Sequence, residues 1–565
     1  MLLQNLLHYA NAFGLSLSSV QNALMAPAFP QDEWDSLKEQ VEGRLFQTKP
    51  FAYPCFSGSV SSPECDLVRS DYKTMRTQYP SAYTQTQWET CQATSEGCLI
   101  DPTSPSSISS TAKHCSQGSV PQYFIDVSSP KDIAAAFNFS KTTKTPLVIK
   151  NTGHDYNGRS SAPGSLALWT HNLKNMSFDP EFLSEGCSRS QRKPAMTVGA
   201  GVQWGEAYKF ADAHNITIVG GADQNVGVVG GWLQGGGHGS LSNVMGMGVD
   251  RVLQFSVVTP DGQYRIANEC QNEDLFFALR GGGGGTFGVV MDASILASPR
   301  ITLQAVFLKF SPNVSVTEEM WSIMAANGLK WANDGWGGYS MAQVLILVNP
   351  KLTKQEAQES LADLLDFGER LERNGVAGFQ MTVTELPSWY DFFEMFVEGN
   401  VATTGTSLAL ASRLVSKSNF ATPQRRAELV SGLLAADAAT PGLIILMTTP
   451  ASTPSSGMTS VNEAWRSSLY HVTVISPWNW NATKEEQTSH YEKASASIDN
   501  LRNITPDAAY FNEADVYEPS YKVAFWGTHY PELLRIKRKY DPDHLLDCWH
   551  CVGWNPQSER FSCYL

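Results

Sequence analysis

The stretch that organises this chain reads Lys150-Asn-Thr-Gly-His-Asp-Tyr-Asn-Gly-Arg-Ser160. It follows the apolar run Leu147-Val148-Ile149, which predicts a strand at 147–150. A glycine-bearing turn after a strand is a place where successive backbone N–H groups can hold a phosphate. Two more glycine-rich segments, 227–239 and 281–285, lie farther along the chain. A histidine in this company, His154, indicates a residue that contacts a cofactor.

Size and charge limit the classes of protein to consider. The chain has 565 residues, 42% hydrophobic and 17% charged, with a formal net charge of −14. Because this length exceeds that of one compact domain, two domains are expected. An acidic chain is a poor partner for nucleic acid or for an anionic membrane surface, and no apolar run approaches the length of a bilayer span. We therefore expect a globular protein that acts on a small molecule.

The cysteines and glycosylation sequons indicate an oxidising compartment. Ten cysteines are present, and Cys548-Trp-His-Cys551 has the spacing of a redox or zinc pair. No second ligand pair follows at zinc-like spacing, so we expect no metal site and favour disulfides, whose pairing stays open. A secreted, extracellular protein with N-glycans is expected, although residues 1–8 lack the basic start of a signal peptide. The sequons lie at Asn138, Asn175, Asn215, Asn313, Asn481 and Asn503.

The chain divides into four segments by composition and pattern. Residues 1–116 are a Cys-, Pro- and Ser-rich lead-in, 117–299 a glycine-rich α+β unit, 300–504 a second unit, and 505–565 a C-terminal segment. In the first unit we expect strands at 124–127, 147–150, 196–198 and 216–219, helices at 130–139 and 204–213, and a hairpin of 251–258 with 264–266. In the second, strands at 301–310, 341–348, 379–383, 443–447 and 469–475 and a helix at 354–373 predict an antiparallel sheet with helices on one face.

The common nucleotide-binding fingerprints are absent in their proper context. Gly283-Gly-Gly-Thr-Phe-Gly288 spells G-x-G-x-x-G, but it follows a helical pattern at 274–279 rather than a strand. The P-loop pattern G-x-x-x-x-G-K-[ST] does not occur. Rossmann and P-loop sites are therefore disfavoured.

Three segments taken together, 150–161, 220–241 and 274–289, resemble the FAD-binding domain of the vanillyl-alcohol oxidase and p-cresol methylhydroxylase (PCMH) superfamily. The closer likeness is to berberine bridge enzyme-like (BBE-like) oxidases of the secreted fungal type. Tyr510-Phe-Asn512, Phe525-Trp-Gly527 and 537–542 are similar to the same subgroup. The resemblance covers roughly residues 120–300 and 505–550. It implies an α+β, two-domain PCMH-type fold, with FAD between its FAD-binding domain (117–299 plus 505–565) and a substrate domain built on an antiparallel sheet (300–504).

The resemblance also implies roles for individual residues around the flavin. His154 matches the histidine bonded to the 8α position of FAD. Asp223 stands where many relatives have a second, cysteinyl link, so a single link through His154 is expected. Val226 matches a position that gates dioxygen, where valine accompanies oxidases. The residues expected to bind the cofactor are Asn151, Thr152, Gly153, His154, Asp155, Ser160, Ser161, Asp223, Val226, Gly227, Gly230, Gly237, Gly239, Val289, Asn512 and His529.

The expected reaction is oxidation of a hydroxyl-bearing alcohol, carbohydrate or secondary metabolite by a monomeric oxidase, with O₂ reduced to H₂O₂. It needs a base that takes the hydroxyl proton. The candidates are Tyr470, His471, Glu513 and Asp155, and because Tyr470 and His471 are consecutive in a strand, at most one of them faces the flavin. Two alternatives stay open: oxidative bond formation on a secondary metabolite, and a secreted flavin-binding protein without turnover.

Overall fold

The computed structural model describes residues 31–57, 62–101, 115–396, 404–453 and 459–565. The strands up to residue 299 are β1 (Leu45–Gln47), β2 (Tyr123–Asp126), β3 (Leu147–Lys150), β4 (Leu166–Trp169), β5 (Met176–Phe182), β6 (Lys193–Gly199), β7 (Ile216–Thr217), β8 (Val252–Val258), β9 (Tyr264–Asn268), β10 (Val289–Leu296) and β11 (Ser298–Pro299). The helices of six or more residues are Gln31–Gln40, Pro63–Asp71, Pro130–Thr143, Trp204–Ala213, Glu273–Leu279, Val314–Asp334, Lys354–Ser360, Ala362–Arg373, Trp389–Phe396, Pro423–Ala439, Lys484–Ser497, Tyr521–Trp526 and Tyr530–Tyr540.

The first sheet, in the order β1-β2-β4-β3, delivers the His154 loop. β2 and β3 both run parallel to β4, and β1 pairs antiparallel with β2. Helix Pro130–Thr143 begins at the expected Ser129 cap and packs its apolar face on this sheet, which directs the end of β3 toward the interior. The lead-in is part of this layer, because it supplies β1 and because Trp34 stacks on Tyr123 with ring centroids 4.1 Å apart.

The second sheet, in the order β5-β6-β10-β8-β9, contains the expected hairpin of β8 and β9. Its core side packs on the expected helix Trp204–Ala213 and on the C-terminal segment, whose Phe525, Trp526 and Ile536 are buried in the same apolar cluster. Residues 505–565 thus close over the glycine-rich unit. The short strands β7 and β11 pair beside it.

The unit after residue 299 is built on an antiparallel sheet, as the pattern of strands predicted, and this sheet has seven strands. Its strands are β12 (Leu303–Lys309), β13 (Gly337–Met341), β14 (Val344–Asn349), β15 (Gln380–Leu386), β16 (Ser407–Ser416), β17 (Ile444–Met447) and β18 (Ser468–Trp478), in the order β15-β12-β14-β13-β17-β18-β16. Helices Val314–Asp334 and Pro423–Ala439 contribute to the apolar layer behind it, and the opposite face borders a cavity.

Two expectations for this unit were wrong, and one strand was not anticipated. The single strand at 341–348 is the end of β13, a tight turn and most of β14, since Met341 pairs with Val344 across the hairpin. The single helix at 354–373 is two helices that meet at Leu361, whose backbone leaves the helical region. β16 was not anticipated, because all but its last residue are buried and its sequence lacks alternation.

The ten cysteines form five disulfides, so Cys548 and Cys551 are neither a zinc pair nor free thiols. Cys91–Cys563 joins the lead-in to the end of the chain across 472 residues. All six sequon asparagines are exposed. Among the described residues, no helix combines the length and apolarity of a membrane span. The other disulfides are Cys55–Cys65, Cys98–Cys115 and Cys187–Cys270.

Candidate active site

A cavity of about 400 Å³ lies between the three glycine-rich segments and the seven-stranded sheet. The His154 loop forms one wall. The segments near 221–238 and 284–290 and the C-terminal stretch 510–513 form the sides, and strands β13, β16, β17 and β18 form the opposite wall. The sequence pattern predicted that the three glycine-rich segments meet at a cofactor, and in the fold these segments lie together around the cavity.

Asp155 holds the His154 loop in shape. Its carboxylate accepts hydrogen bonds from the backbone N–H of Asn157 (3.1 Å), and from the N–H and hydroxyl of Ser160 (both 2.7 Å). Arg159 donates to the Phe511 carbonyl at 2.6 Å and lies over the Phe511 ring, 3.6 Å from its centroid. These contacts join the loop to the C-terminal segment. Because the Asp155 carboxylate accepts the hydrogen bonds from Asn157 and Ser160, we interpret it as a positioning residue rather than the base.

His154 projects from this loop into the cavity wall. Its Nε2 atom is buried and has no hydrogen-bond partner in the described part of the chain. Burial lowers the pKa of His154, while the negative charge of Asp223 opposes that shift. A neutral imidazole with an unpartnered nitrogen is a nucleophile, so the residue has the chemistry that a covalent bond to a cofactor requires.

The glycines that border the cavity leave room for a large planar ligand and its phosphates. A Cβ built on Gly231 or Gly285 meets no atom within 4 Å, because both face open space. Gly285 has a φ of +74°, which favours glycine. Gly284 and Gly288 continue this border. Backbone N–H groups with no side chain above them are suited to phosphate oxygens.

Glu513 is the centre of a buried polar cluster at the substrate side of the cavity. Its Oε2 accepts a hydrogen bond from His471 Nε2 at 2.9 Å and lies 3.4 Å from His238 Nε2. His238 Nδ1 in turn contacts the Thr448 hydroxyl at 3.0 Å. His238 and His471 are nearly or fully buried, whereas 26% of the Glu513 side chain is exposed. The carboxylate is therefore the part of the cluster that a substrate can reach.

The electrostatics of this cluster favour an ionised glutamate. Burial alone would raise the pKa of Glu513, but attraction to His238 and hydrogen bonds from both imidazoles hold that pKa well below its usual range. Burial lowers the pKa of His471 despite its bond to Glu513. His471 thus donates through Nε2–H, and its tautomer is fixed by the carboxylate.

Tyr510 and Asn512 connect the cluster to the glycine segments. The Tyr510 hydroxyl accepts hydrogen bonds from the backbone N–H of Gly237 at 3.1 Å and from Asn512 Nδ2 at 2.9 Å. Asn512 Nδ2 also donates to the Gly231 carbonyl at 2.7 Å. Burial raises the pKa of Tyr510, so its phenol stays protonated. The C-terminal Tyr-x-Asn sequence therefore fixes the position of the cavity floor.

Most of the residues expected from the sequence border the cavity, and some do not. Those that line it are Asn151, Thr152, Gly153, His154, Asp155, Ser160, Asp223, Val226, Gly227, Gly230, Asn512 and Glu513. His471 lies directly behind Glu513. Tyr470 was a wrong choice of base, since it points into the core behind the sheet and donates its hydroxyl to the Met324 carbonyl at 3.0 Å.

Five expected cofactor contacts lie outside the cavity lining, for separate reasons. Val289 packs in the core, and its neighbour Val290 faces the cavity instead, as strand alternation requires. His529 pairs with Glu463 at 3.2 Å and packs on Phe277.

The other three support the walls from behind. Gly237 and Gly239 are required for close packing, because a Cβ would strike the Trp232 ring or the Gly220 carbonyl, respectively. Ser161 is buried beyond the loop.

His238, Tyr339 and the aliphatic wall were not foreseen. His238 carried a local signal, since it lies within Gly235-Gly-Gly-His-Gly239 and a histidine among glycines is unusual there. Tyr339 and the apolar residues of β16, β17 and β18 carried none. Their role depends on which face of the sheet meets the cavity.

Comparison with known proteins agrees with this geometry. Residues 121–296 match the family described as FAD binding domain, and residues 509–549 match the family described as berberine and berberine like. The chain is 36% identical to the FAD-linked oxidoreductase ffsJ of Aspergillus flavipes, over 95% of this chain and 94% of that protein. This chain belongs to the VAO/BBE family of FAD-linked oxidoreductases. The same identity relates it to the FAD-linked oxidoreductase OXR2 of Pyricularia oryzae, over 96% of each chain.

Solved structures confirm the fold of this oxidoreductase. The VAO-type flavoprotein MtVAO615 from Myceliophthora thermophila matches with a TM-score of 0.79 and 27% identity, over 94% of this chain and 96% of that one. A glucooligosaccharide oxidase from Acremonium strictum shares the fold at 20% identity, with a TM-score of 0.61 over 76% of this chain and 91% of that one. The α+β, PCMH-type fold with antiparallel sheets expected from the sequence is thus confirmed, as is membership of a flavin-dependent enzyme family.

The cavity of the oxidoreductase fits FAD. The unpartnered His154 imidazole and the open border at Gly231 and Gly285 are suited to a flavin with a pyrophosphate. His154 would hold the isoalloxazine ring and residues 151–153 would lie at the phosphates, whereas the N–H and hydroxyl of Ser160 are engaged by Asp155.

Proposed function

We propose that the protein is an oxidase that carries FAD covalently through His154 alone and oxidises a hydroxyl group with O₂ as electron acceptor. The observation that carries this proposal is the pairing of two groups across one cavity. One is the buried, unpartnered His154 imidazole, and the other is the Glu513 carboxylate that His238 and His471 hold. A tether for a flavin and a base for a substrate thus face the same space.

Among the described residues, three carboxylates border the cavity, and we assign the base to Glu513. Asp155 is engaged by the N–H groups of its own loop. Asp223 accepts from the N–H of Asn225 at 2.7 Å, and its negative charge opposes the burial that lowers the pKa of His154, so we assign Asp223 to the tether. Glu513 lies on the substrate side and exposes its carboxylate.

The reaction balances as a two-electron oxidation. The substrate R₂CH–OH loses its hydroxyl proton to the Glu513 cluster and a hydride from carbon, which gives R₂C=O. FAD, when bound, supplies the acceptor for that hydride and passes the two electrons to O₂, which leaves as H₂O₂ with two protons. The Glu513 carboxylate receives that proton, and His471 Nε2 holds the carboxylate through a 2.9 Å hydrogen bond.

The side chain at position 226 is small enough to leave dioxygen access to the cavity. Val226, the residue whose family position is associated with oxidases, borders the cavity and is only partly buried. A small side chain there leaves space beside the flavin edge. We therefore favour O₂ over a dedicated electron-transfer partner as the oxidant.

Secretion and N-glycosylation are also part of the proposal. Five disulfides and the exposure of all six sequon asparagines support an oxidising, glycosylating route. Fractionation of a culture of the native producer, with glycosidase treatment of the recovered protein, tests it. A protein retained inside the cell, with no mass shift, would refute this part.

The test of the reaction separates flavin attachment from turnover. Acid precipitation of purified enzyme should leave the yellow colour with the protein, and anaerobic addition of a substrate should bleach it. Admission of air should restore the colour and release one H₂O₂ per flavin. Product analysis identifies a carbonyl compound if the proposal holds, and a new ring or cross-link if the enzyme forms bonds oxidatively.

A further inference from the structure

The wall of the cavity opposite His154 is largely aliphatic. β17 turns Ile444 and Leu446 toward the cavity, while Ile445 and Met447 enter the core behind the sheet. This alternation follows from the strand period of two. The neighbouring strands add further cavity-facing residues: Leu410 from β16, Thr473 and Ile475 from β18, and Tyr339 from β13.

The strand register arranges these side chains in rows with a polar end and an apolar end. Leu446 is paired with Tyr339 on one side and with His471 on the other. Farther along β18, Ile475 is paired with Leu410. His471 binds Glu513, so the apolar rows begin at the base. Ile475 is four positions beyond His471 in extended strand, which corresponds to about 13 Å.

This surface is matched to carbon rather than to hydroxyl groups. Thr473 and Tyr339 are the hydroxyl-bearing side chains among those six sheet residues. A sugar ring carries a hydroxyl on most of its carbons, and each one placed against an aliphatic wall loses water without gaining a partner. An apolar skeleton gains from the same contact.

We propose that the substrate is a predominantly hydrocarbon alcohol, not a carbohydrate. Its reacting hydroxyl sits at Glu513 and its skeleton packs on Leu410, Ile444, Leu446 and Ile475. The position of the reacting hydroxyl rests on the proposed function, and the position of the skeleton rests on the apolar face of the sheet. The surface extends far enough from the base for a skeleton of two fused or linked rings.

The experiment uses two matched probes and two matched variants. The probes are 4-phenylcyclohexanol with its ketone, and cellobiose of comparable length. The alcohols are scored by anaerobic bleaching of the holoenzyme flavin. The ketone cannot be oxidised in this way, so its Kd, from perturbation of the flavin spectrum, reports binding alone. Ile475→Thr shortens the side chain by one carbon and adds a hydroxyl, whereas Thr473→Val is isosteric and removes a hydroxyl, so the two variants change polarity in opposite directions on the same face of β18.

The expected result is bleaching by phenylcyclohexanol and not by cellobiose. Ile475→Thr should weaken ketone binding roughly 10-fold, the loss typical of one missing carbon in an apolar pocket. Thr473→Val should leave the ketone Kd unchanged or tighten it. Bleaching by cellobiose alone would overturn the substrate class and leave the oxidase reaction standing.

Two other outcomes separate the two proposals. If neither alcohol bleaches the flavin but the ketone binds with the stated variant pattern, the apolar site is supported and the reaction at Glu513 is not. If Ile475→Thr leaves the ketone Kd unchanged, the skeleton does not pack on this face and the inference is wrong, whichever alcohol is oxidised.

Discussion

Replacing Glu513 with glutamine tests its role as the base without changing the shape of the cavity. The side chain keeps its size, and the amide oxygen can still accept the 2.9 Å hydrogen bond from His471 Nε2. The variant lacks the proton acceptor, because an amide is not protonated near neutral pH. A positioned general base contributes about 10²–10⁴ in rate, which is about 2.7–5.4 kcal/mol of barrier.

The structure places the expected effect toward the lower end of that range. The pKa of Glu513 is held well below its usual range by the two imidazoles, so the carboxylate is a weaker base than an isolated glutamate. We expect Glu513→Gln to slow anaerobic flavin reduction at saturating substrate about 10²-fold. Stopped-flow absorbance of the flavin measures this step without interference from O₂.

Two controls distinguish lost base chemistry from lost structure. Glu513→Asp keeps the charge on a shorter side chain and should recover part of the rate. Thr448→Val removes the hydroxyl that contacts His238 and leaves the carboxylate in place, so it should slow flavin reduction much less than Glu513→Gln does. If Glu513→Gln reduces its flavin at the wild-type rate while the cofactor stays covalently bound, Glu513 is not the base.

Four further outcomes are expected. His154→Ala should release FAD on acid precipitation, whereas Asp223→Asn should keep the yellow colour with the protein; free flavin in wild type would exclude the His154 link. Because a lowered pKa keeps Glu513 ionised as the pH falls, kcat/KM should persist below the ordinary glutamate pKa of 4.5, and an acid limb at that value would contradict the cluster. Val226→Ile should slow flavin reoxidation by O₂ without changing reduction by substrate, measured in separate stopped-flow mixes. The double variant Cys91→Ser/Cys563→Ser should lose up to about 5 kcal/mol of unfolding free energy, more than the Cys187/Cys270 pair, because its loop is longer.

The Cys91–Cys563 bond also bears on the flavin loop. The disulfide anchors the chain end, where the Tyr564 hydroxyl donates to the Asn157 carbonyl at 2.7 Å. Tyr564 further stacks on Trp549 with ring centroids 4.0 Å apart. Release of this end should therefore loosen the loop that carries His154 and lower the fraction of covalent flavin, as in-gel flavin fluorescence can report.

Local sequence determined the elements whose signals are local. The Ser129-Pro130 start, the helix Trp204–Ala213 and the β8–β9 hairpin follow from capping, periodicity and turn residues. The His154 loop and the Tyr-x-Asn sequence were legible for the same reason, since their glycines and polar residues stand next to each other in the chain.

Tertiary structure decided what depends on pairing across the chain. β16 lacks alternation because nearly all its residues are buried, and the hairpin at Met341–Val344 interrupts an otherwise apolar run. Tyr470 and His471 are adjacent in sequence, and only the packing of helix Val314–Asp334 on one side of the sheet sends Tyr470 into the core and His471 to the cavity.

The sequence by itself therefore determined the flavin side of this protein, and the fold decided the substrate side. The proposed phosphate-binding turns and tethering histidine need contiguous residues with particular backbone freedom, so they leave a pattern in the chain. A base held by His238 and His471 and an apolar wall drawn from three strands need only that distant residues meet. Strand register and sheet order bring these distant residues together, and no single segment of the sequence determines either of them.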